Sequence, residues 1–131
     1  MPELARILVV DDTESALDLI GSLIRVRGHE PAFARSGEEG VESALASMPD
    51  LILMDLQMPG MNGYTALEAI QRAGHPDMCP VLALTAFEMV GEREKSLATG
   101  FDGFFSKPIA PETFMDQLEA FLDRDDRRAA G

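Results

Sequence analysis

The sequence predicts an α/β fold: a doubly wound, five-stranded parallel sheet with five helices. Three observations carry that reading. Short aliphatic runs recur along the chain. They alternate with segments whose apolar residues repeat at helical spacing. The central runs show no polar alternation, which is how strands covered on both faces read. Strands that alternate with helices pair in parallel through right-handed crossovers.

The elements follow in order. The first strand is Arg6–Val10, and the aliphatic run stops at two adjacent acids, Asp11 and Asp12. Leu17, Ile20, Leu23 and Ile24 then share one helical face, and Gly28 can stop that helix. A short second strand is expected at 32–34. Ser36 followed by Glu39 is a capping-box signature opening a helix that carries Val41, Ala44 and Leu45. The third strand, at 51–54, is nearly all aliphatic and ends at Asp55; Asn62 can cap the next helix, with Ala66, Leu67 and Ile70 on one side. The fourth strand, at 81–84, ends at Thr85. A mostly polar helix over 88–99 is the weakest, with Leu97 and Ala98 near its end. The fifth strand, at 104–105, leads to Lys107. Pro111 suits the first turn of a last helix bearing Phe114, Met115, Leu118, Phe121 and Leu122. The second and fifth strands are the least apolar and are expected nearer the edges.

Composition narrows the function. A chain of 131 residues is the size of one domain, and 46% hydrophobic with 26% charged residues is a soluble globular composition. The net charge of −12 argues against direct contact with nucleic acid or an anionic membrane surface. A single cysteine, Cys79, allows no intramolecular disulfide and fits a reducing compartment. No signal peptide and no run of membrane-spanning length are present. The expected location is cytoplasmic.

In a parallel α/β sheet the site lies at the carboxyl ends of the strands. Five polar groups end strands here: Asp11, Asp12, Asp55, Thr85 and Lys107. Three carboxylates brought to one rim cannot all stay bare anions; their pKa values rise or a cation joins them. Oxygen ligands with room for water suit Mg²⁺. A metal, an ammonium and a hydroxyl aimed at one carboxylate make a cradle for phosphoryl oxygens. The paired acids would hold a metal that makes the third acid phosphorylatable.

The combination "DD" at 11–12, "LILMDLQMPGMNG" at 51–63, "LTAF" at 84–87 and "SKP" at 106–108 resembles the response-regulator receiver domains of two-component signalling. The likeness runs over residues 5–122. The spacings of 30 residues from Asp55 to Thr85 and 52 from Asp55 to Lys107 suit the family. Single-domain receivers and those of hybrid sensor kinases look most similar. The resemblance implies a flavodoxin-like sheet of strand order 2-1-3-4-5, a receiver domain over 1–123 and a short polar tail over 124–131. It implies Asp55 as phosphoacceptor, with Asp12 ligating Mg²⁺ directly and Asp11 mainly through water. Asp55 and the backbone carbonyl of Gln57 would complete the protein ligands. Thr85 and Lys107 would each take a phosphoryl oxygen, and the small Ala86 would leave room. Thr85 and Phe104 would form the switch, and the Lys107–Pro108 peptide would be cis. The expected partners are a sensor histidine kinase or histidine phosphotransfer protein and a downstream protein bound at the fourth helix, fifth strand and fifth helix. The chain would be a signalling module, not an enzyme, apart from catalysing its own phosphorylation from small donors and its own dephosphorylation.

Each residue also has a plainer reading. Asp11 and Asp12 could cap a helix, Asp55 could be a turn residue, Thr85 an ordinary strand threonine and Lys107 a solvated lysine. Pro59, Gly60 and Gly63 are turn residues in either reading. The methionines read as core or gap-filling residues, with exposure near the site as the alternative for Met58; Cys79 is expected to be buried, and His29 and His75 are assigned no function. Two alternative functions stand beside the first: a receiver that docks without phosphorylation, and an Mg²⁺-dependent phosphohydrolase with an aspartyl nucleophile. Haloacid-dehalogenase-like phosphatases carry D-x-D-x-T, whereas Asp11, Asp12 and Thr13 are contiguous. The Met1 start and the short tail favour a free-standing protein without an output domain over a piece of a hybrid kinase.

Overall fold

The computed structural model describes residues 4–73, 79–86 and 91–123. The elements alternate as β1 (Arg6–Val10), α1 (Glu14–Val26), β2 (Glu30–Ala34), α2 (Gly37–Ser47), β3 (Leu51–Asp55), α3 (Gly63–Arg72), β4 (Val81–Thr85), α4 (Glu92–Thr99), β5 (Gly103–Ser106) and α5 (Pro111–Asp123). All pairings are parallel and the order is β2-β1-β3-β4-β5. This is the expected doubly wound sheet, with the two less apolar strands at its edges. The tail over 124–131, residues 88–90 of the expected fourth helix, Phe87 and His75 lie outside the described residues.

Side chains along the strands alternate between two cores. Ile7, Val9, Leu51, Leu53, Leu82 and Leu84 meet Leu17, Ile20 and Ile24 of α1 and Phe114, Met115 and Leu118 of α5. Leu8, Val10, Ile52, Met54, Val81 and Ala83 meet Ala44 of α2 and Ala66, Leu67 and Ile70 of α3 on the other face. Two covered faces explain the unbroken aliphatic runs. Full burial of one such side chain is worth roughly 1.5–3 kcal/mol, so β1, β3 and β4 anchor the domain.

Local signals work largely as expected. Ser36 caps α2, its Oγ accepting from the Glu39 N–H at 3.1 Å, while Glu39 reaches back to the Arg35 N–H at 3.3 Å. Asn62 caps α3 by accepting from the Thr65 N–H at 3.0 Å. β2 starts two residues earlier than expected and includes Pro31, which an edge strand tolerates because one side of it pairs with no strand among the described residues. Of the described helices, none is long and apolar enough to cross a membrane.

Candidate functional site

The carboxyl ends of four strands converge on one rim. Beyond β1, the Asp11 N–H still donates to Ala34 O at 3.0 Å, which fixes the backbone where the acids begin. Beyond β3, the Leu56 N–H donates to Leu84 O at 2.9 Å, and beyond β5 the Lys107 N–H donates to Thr85 O at 2.7 Å. The ladder therefore outlasts the strands and holds the functional side chains on ordered backbone.

Asp11 is fully buried and Asp55 is 3% exposed, whereas Asp12 is exposed. One carboxylate oxygen from each of the three lies within 4.8 Å of the others. Lys107, on a side chain 19% exposed, donates from Nζ to Asp11 Oδ2 at 2.5 Å and stands 3.4 Å from Asp55 Oδ2. Asp11 Oδ1 accepts from the Thr13 N–H at 2.9 Å, and Asp55 Oδ1 from the Gln57 N–H at 3.0 Å. Thr85, the last residue of β4, is buried. The Lys107–Pro108 peptide is cis.

Burial pushes the Asp55 carboxyl up to about 6; the Gln57 N–H opposes this, the Asp11 charge adds to it, and Lys107 pulls it back. Burial works against the Lys107 ammonium, but its bonds to Asp11 and the Asp55 charge outweigh that and raise its pKa. Three carboxylates against one ammonium leave excess negative charge at a rim where Asp11 and Asp55 are buried and Asp12 faces solvent. A hard divalent cation with oxygen ligands matches that donor set.

The three acids and Lys107 are thus brought together, and Thr85 ends the adjacent strand β4 with its carbonyl accepting the Lys107 N–H. Gln57 is exposed and adjoins Asp55 through its backbone. Its side chain also matters: Oε1 accepts from the Ala86 N–H at 3.4 Å, linking the loops after β3 and β4. Phe104 and Phe105 are both half-buried on opposite faces of β5; Phe105 packs on Phe114 with ring centroids 4.9 Å apart, and Phe104 packs on the α3-side core.

Met58 takes the core reading and not the exposed one. It is 6% exposed and belongs to the α3-side core, because the loop after β3 folds its side chain inward. Cys79 is buried as expected. His29, given no function, is buried: Nδ1 accepts from the Ala5 N–H at 2.9 Å and Nε2 meets Glu119 Oε2 at 2.8 Å. Arg27 bridges the same Glu119 and Asp116. No local pattern betrays a pairing across 90 residues.

Comparison with known proteins agrees with this geometry. The response regulator receiver domain model matches residues 7–119. The signal transduction histidine-protein kinase BarA of Escherichia coli is 41% identical over 112 residues, 86% of this chain but 12% of that kinase. The chain therefore spans about an eighth of that relative. The polar-differentiation response regulator DivK of Brucella abortus is 34% identical over 116 residues, covering 88% of this chain and 94% of DivK. A CheY-like receiver domain from Methanospirillum hungatei superposes with a TM-score of 0.87 at 26% identity, over 96% of this chain and 99% of that one. The fold, the acids at its rim and these matches agree, and the chain belongs to the response regulator receiver domain family.

Proposed function

We propose that Asp55 of this receiver accepts a phosphoryl group from a phosphohistidine and that the modified domain signals through a protein contact. The observation that carries the reading is the buried Asp55 carboxylate gathered within 4.8 Å of Asp11 and Asp12. The neighbouring Lys107 ammonium adds the cation a phosphoryl oxygen needs.

The residues fit a bound Mg²⁺: two buried acids face one another across a single ammonium, and all donors are oxygens. Asp12 and Asp55, the Gln57 backbone carbonyl and, through water, Asp11 would hold it. Bound there, Mg²⁺ neutralises the acids and the incoming phosphoryl oxygens. The rest falls to the chain. The Gln57 N–H orients one Asp55 oxygen and leaves the other toward Lys107. That free oxygen attacks phosphorus, the P–N bond to the donor imidazole breaks, and an acyl phosphate forms. Lys107 moves from Asp55 to a phosphoryl oxygen, and the Thr85 hydroxyl donates to another. The same constellation supports self-phosphorylation by small donors and later hydrolysis. The donor would be a sensor histidine kinase or a histidine phosphotransfer protein, in the cytoplasm. The downstream protein would read the surface of α4, β5 and α5, with Thr85 and Phe104 as the switch.

Incubation with acetyl phosphate and Mg²⁺ followed by mass spectrometry tests this. One phosphate on Asp55 is expected, absent when Mg²⁺ is chelated and absent in Asp55→Asn. Asp12→Ala should raise the Mg²⁺ requirement more than Asp11→Ala. A wild-type-like yield from Asp55→Asn overturns the assignment.

A further inference from the structure

Helix α4 has little of its own to hold it. It is eight residues long, its N-cap Gly91 makes no side-chain cap bond, and Leu97 is half exposed. Among its described side chains only Ser96 is buried. A helix this short and polar depends on outside contacts. Two come from α3. At the far end, Gln71 Nε2 donates to Thr99 O at 3.2 Å. At the near end Tyr64 does three things. Its hydroxyl donates to Glu92 Oε2 at 2.7 Å, its ring centroid lies 4.5 Å from the Lys95 ammonium, and it packs edge-to-face with Phe101 at a centroid distance of 6.1 Å.

Tyr64 is also one residue from the phosphoacceptor loop. It follows Gly63, whose N–H donates to Leu56 O at 3.3 Å. Gly63 sits so close that an added Cβ would lie 2.4 Å from Asp55 O. Movement of the backbone at Asp55 therefore reaches Tyr64 without slack. Burial and then the Glu92 carboxylate raise the phenol's pKa, so it stays protonated and donating.

We propose that Tyr64 latches α4 to the loop after β3 and thereby couples occupancy of Asp55 to the position of α4. This deepens the phosphoacceptor reading and rests on it. The latch belongs to the unphosphorylated arrangement, so loosening it favours the other one, and the coupling is reciprocal. A ring that only filled space would leave neither consequence.

Tyr64→Phe keeps the ring, its edge contact and its place under Lys95, and removes only the donor. Glu92→Gln keeps the tyrosine and weakens the acceptor. In metal-free protein, amide hydrogen exchange over Glu92–Thr99 should speed up about tenfold in either variant, as befits loss of a charge-assisted bond, with α1 and α5 unchanged. With Mg²⁺, both variants should bind beryllofluoride, an acyl-phosphate mimic, about fivefold more tightly than wild type. The chain has one tyrosine and no tryptophan, so its ultraviolet emission reports Tyr64 alone. That emission should rise when wild type takes beryllofluoride and the phenol leaves the carboxylate. Unchanged exchange in α4 overturns the latch. Faster exchange with unchanged beryllofluoride affinity and emission overturns the coupling. If wild type binds no beryllofluoride at all, the phosphoacceptor reading falls and the coupling with it, while exchange still decides whether Tyr64 holds α4.

Discussion

Asp55 is an acid whose surroundings oppose its charge. Burial first, and then the Asp11 carboxylate, push its pKa to about 6 against an ordinary value of 3.8, while the Gln57 N–H and Lys107 oppose the shift. The folded state then binds more protons than the unfolded one between those values. The contribution of Asp55 to stability is fully present below 3.8 and is lost as pH rises through about 6. Asp55→Asn removes that loss. In chelator, the melting temperature of Asp55→Asn should exceed that of wild type by several degrees at neutral pH. The difference should vanish at acid pH, where the wild-type group is neutral. A gap that stays constant from acid to neutral pH would show that charge is not its cause. Saturating Mg²⁺ should narrow the gap by stabilising the wild-type carboxylate. Asp11 and Asp12 are adjacent in sequence yet differ in kind. Asp11 is buried on Lys107 and the Thr13 N–H, whereas Asp12 is exposed to solvent and free to meet a cation. Periodicity places both at a strand end but does not divide them, because alternation only says that neighbours point opposite ways; the family resemblance supplies the division, with Asp12 as the direct ligand.

At the scale of elements, the tightest joint is between β3 and α3. Gly63 opens α3 with its Cα against the Asp55 carbonyl and 2.9 Å separating a notional Cβ from the Leu56 Cα. Both neighbours are backbone and cannot swing aside. Gly63→Ala should cost on the order of 1–3 kcal/mol, as overpacking does, and should slow phosphorylation of Asp55 by displacing its main chain. Gly60→Ala is the control. Its φ of +77° is strained for alanine, but nothing lies within 4 Å of the added carbon, so melting should fall without a comparable loss of phosphorylation. Melting curves with initial phosphorylation rates separate the two. Strand and helix positions were legible because burial on two faces imposes aliphatic runs, and caps such as Ser36 and Asn62 announce helix starts. The start of β2 was hidden by Pro31, which reads as a turn until the strand is known to lie at an edge. Met58 reads two ways, core or exposed, because "MPGMNG" looks polar and turn-like. Its burial comes with membership of the α3-side core, which only the fold assembles.

Across the whole molecule the sheet separates two polar rims. The acids, Thr85 and Lys107 lie at the carboxyl ends of the strands. At the amino ends, His29, Glu119, Arg27 and Asp116 tie the end of α1 and the start of β2 to α5. The first rim was legible because each member ends a recognisable run. The second was not, since its members come from distant segments with no shared pattern. Because Ala5 N–H donates to Nδ1, His29 presents Nε2–H to Glu119 in its neutral form. The His29 ring is buried with both of its nitrogens matched, and such a group resists rearrangement. The opposite half is looser: α4 is polar, and Phe104 is only half-buried at the edge strand. A change at Asp55 should therefore travel along the α4–β5 side and stop short of the second rim. In the proposed switch, Thr85 moves toward a phosphoryl oxygen and leaves space behind it, which the Phe104 ring turns inward to fill. Its ring carries no hydroxyl, so inward rotation strands no polar group and removes apolar surface from water. The two arrangements need differ by only about 2–3 kcal/mol for the phosphoryl group to shift the population. With ¹⁹F-labelled phenylalanine and ¹⁵N-labelled histidine, beryllofluoride and Mg²⁺ should shift the Phe104 resonance and the α4 amides while leaving the His29 ring resonances in place. An unmoved Phe104 with the mimic bound at Asp55 would refute the switch. A His29 ring that moves as far as Phe104 would show that the whole domain rearranges and that the two rims are not insulated.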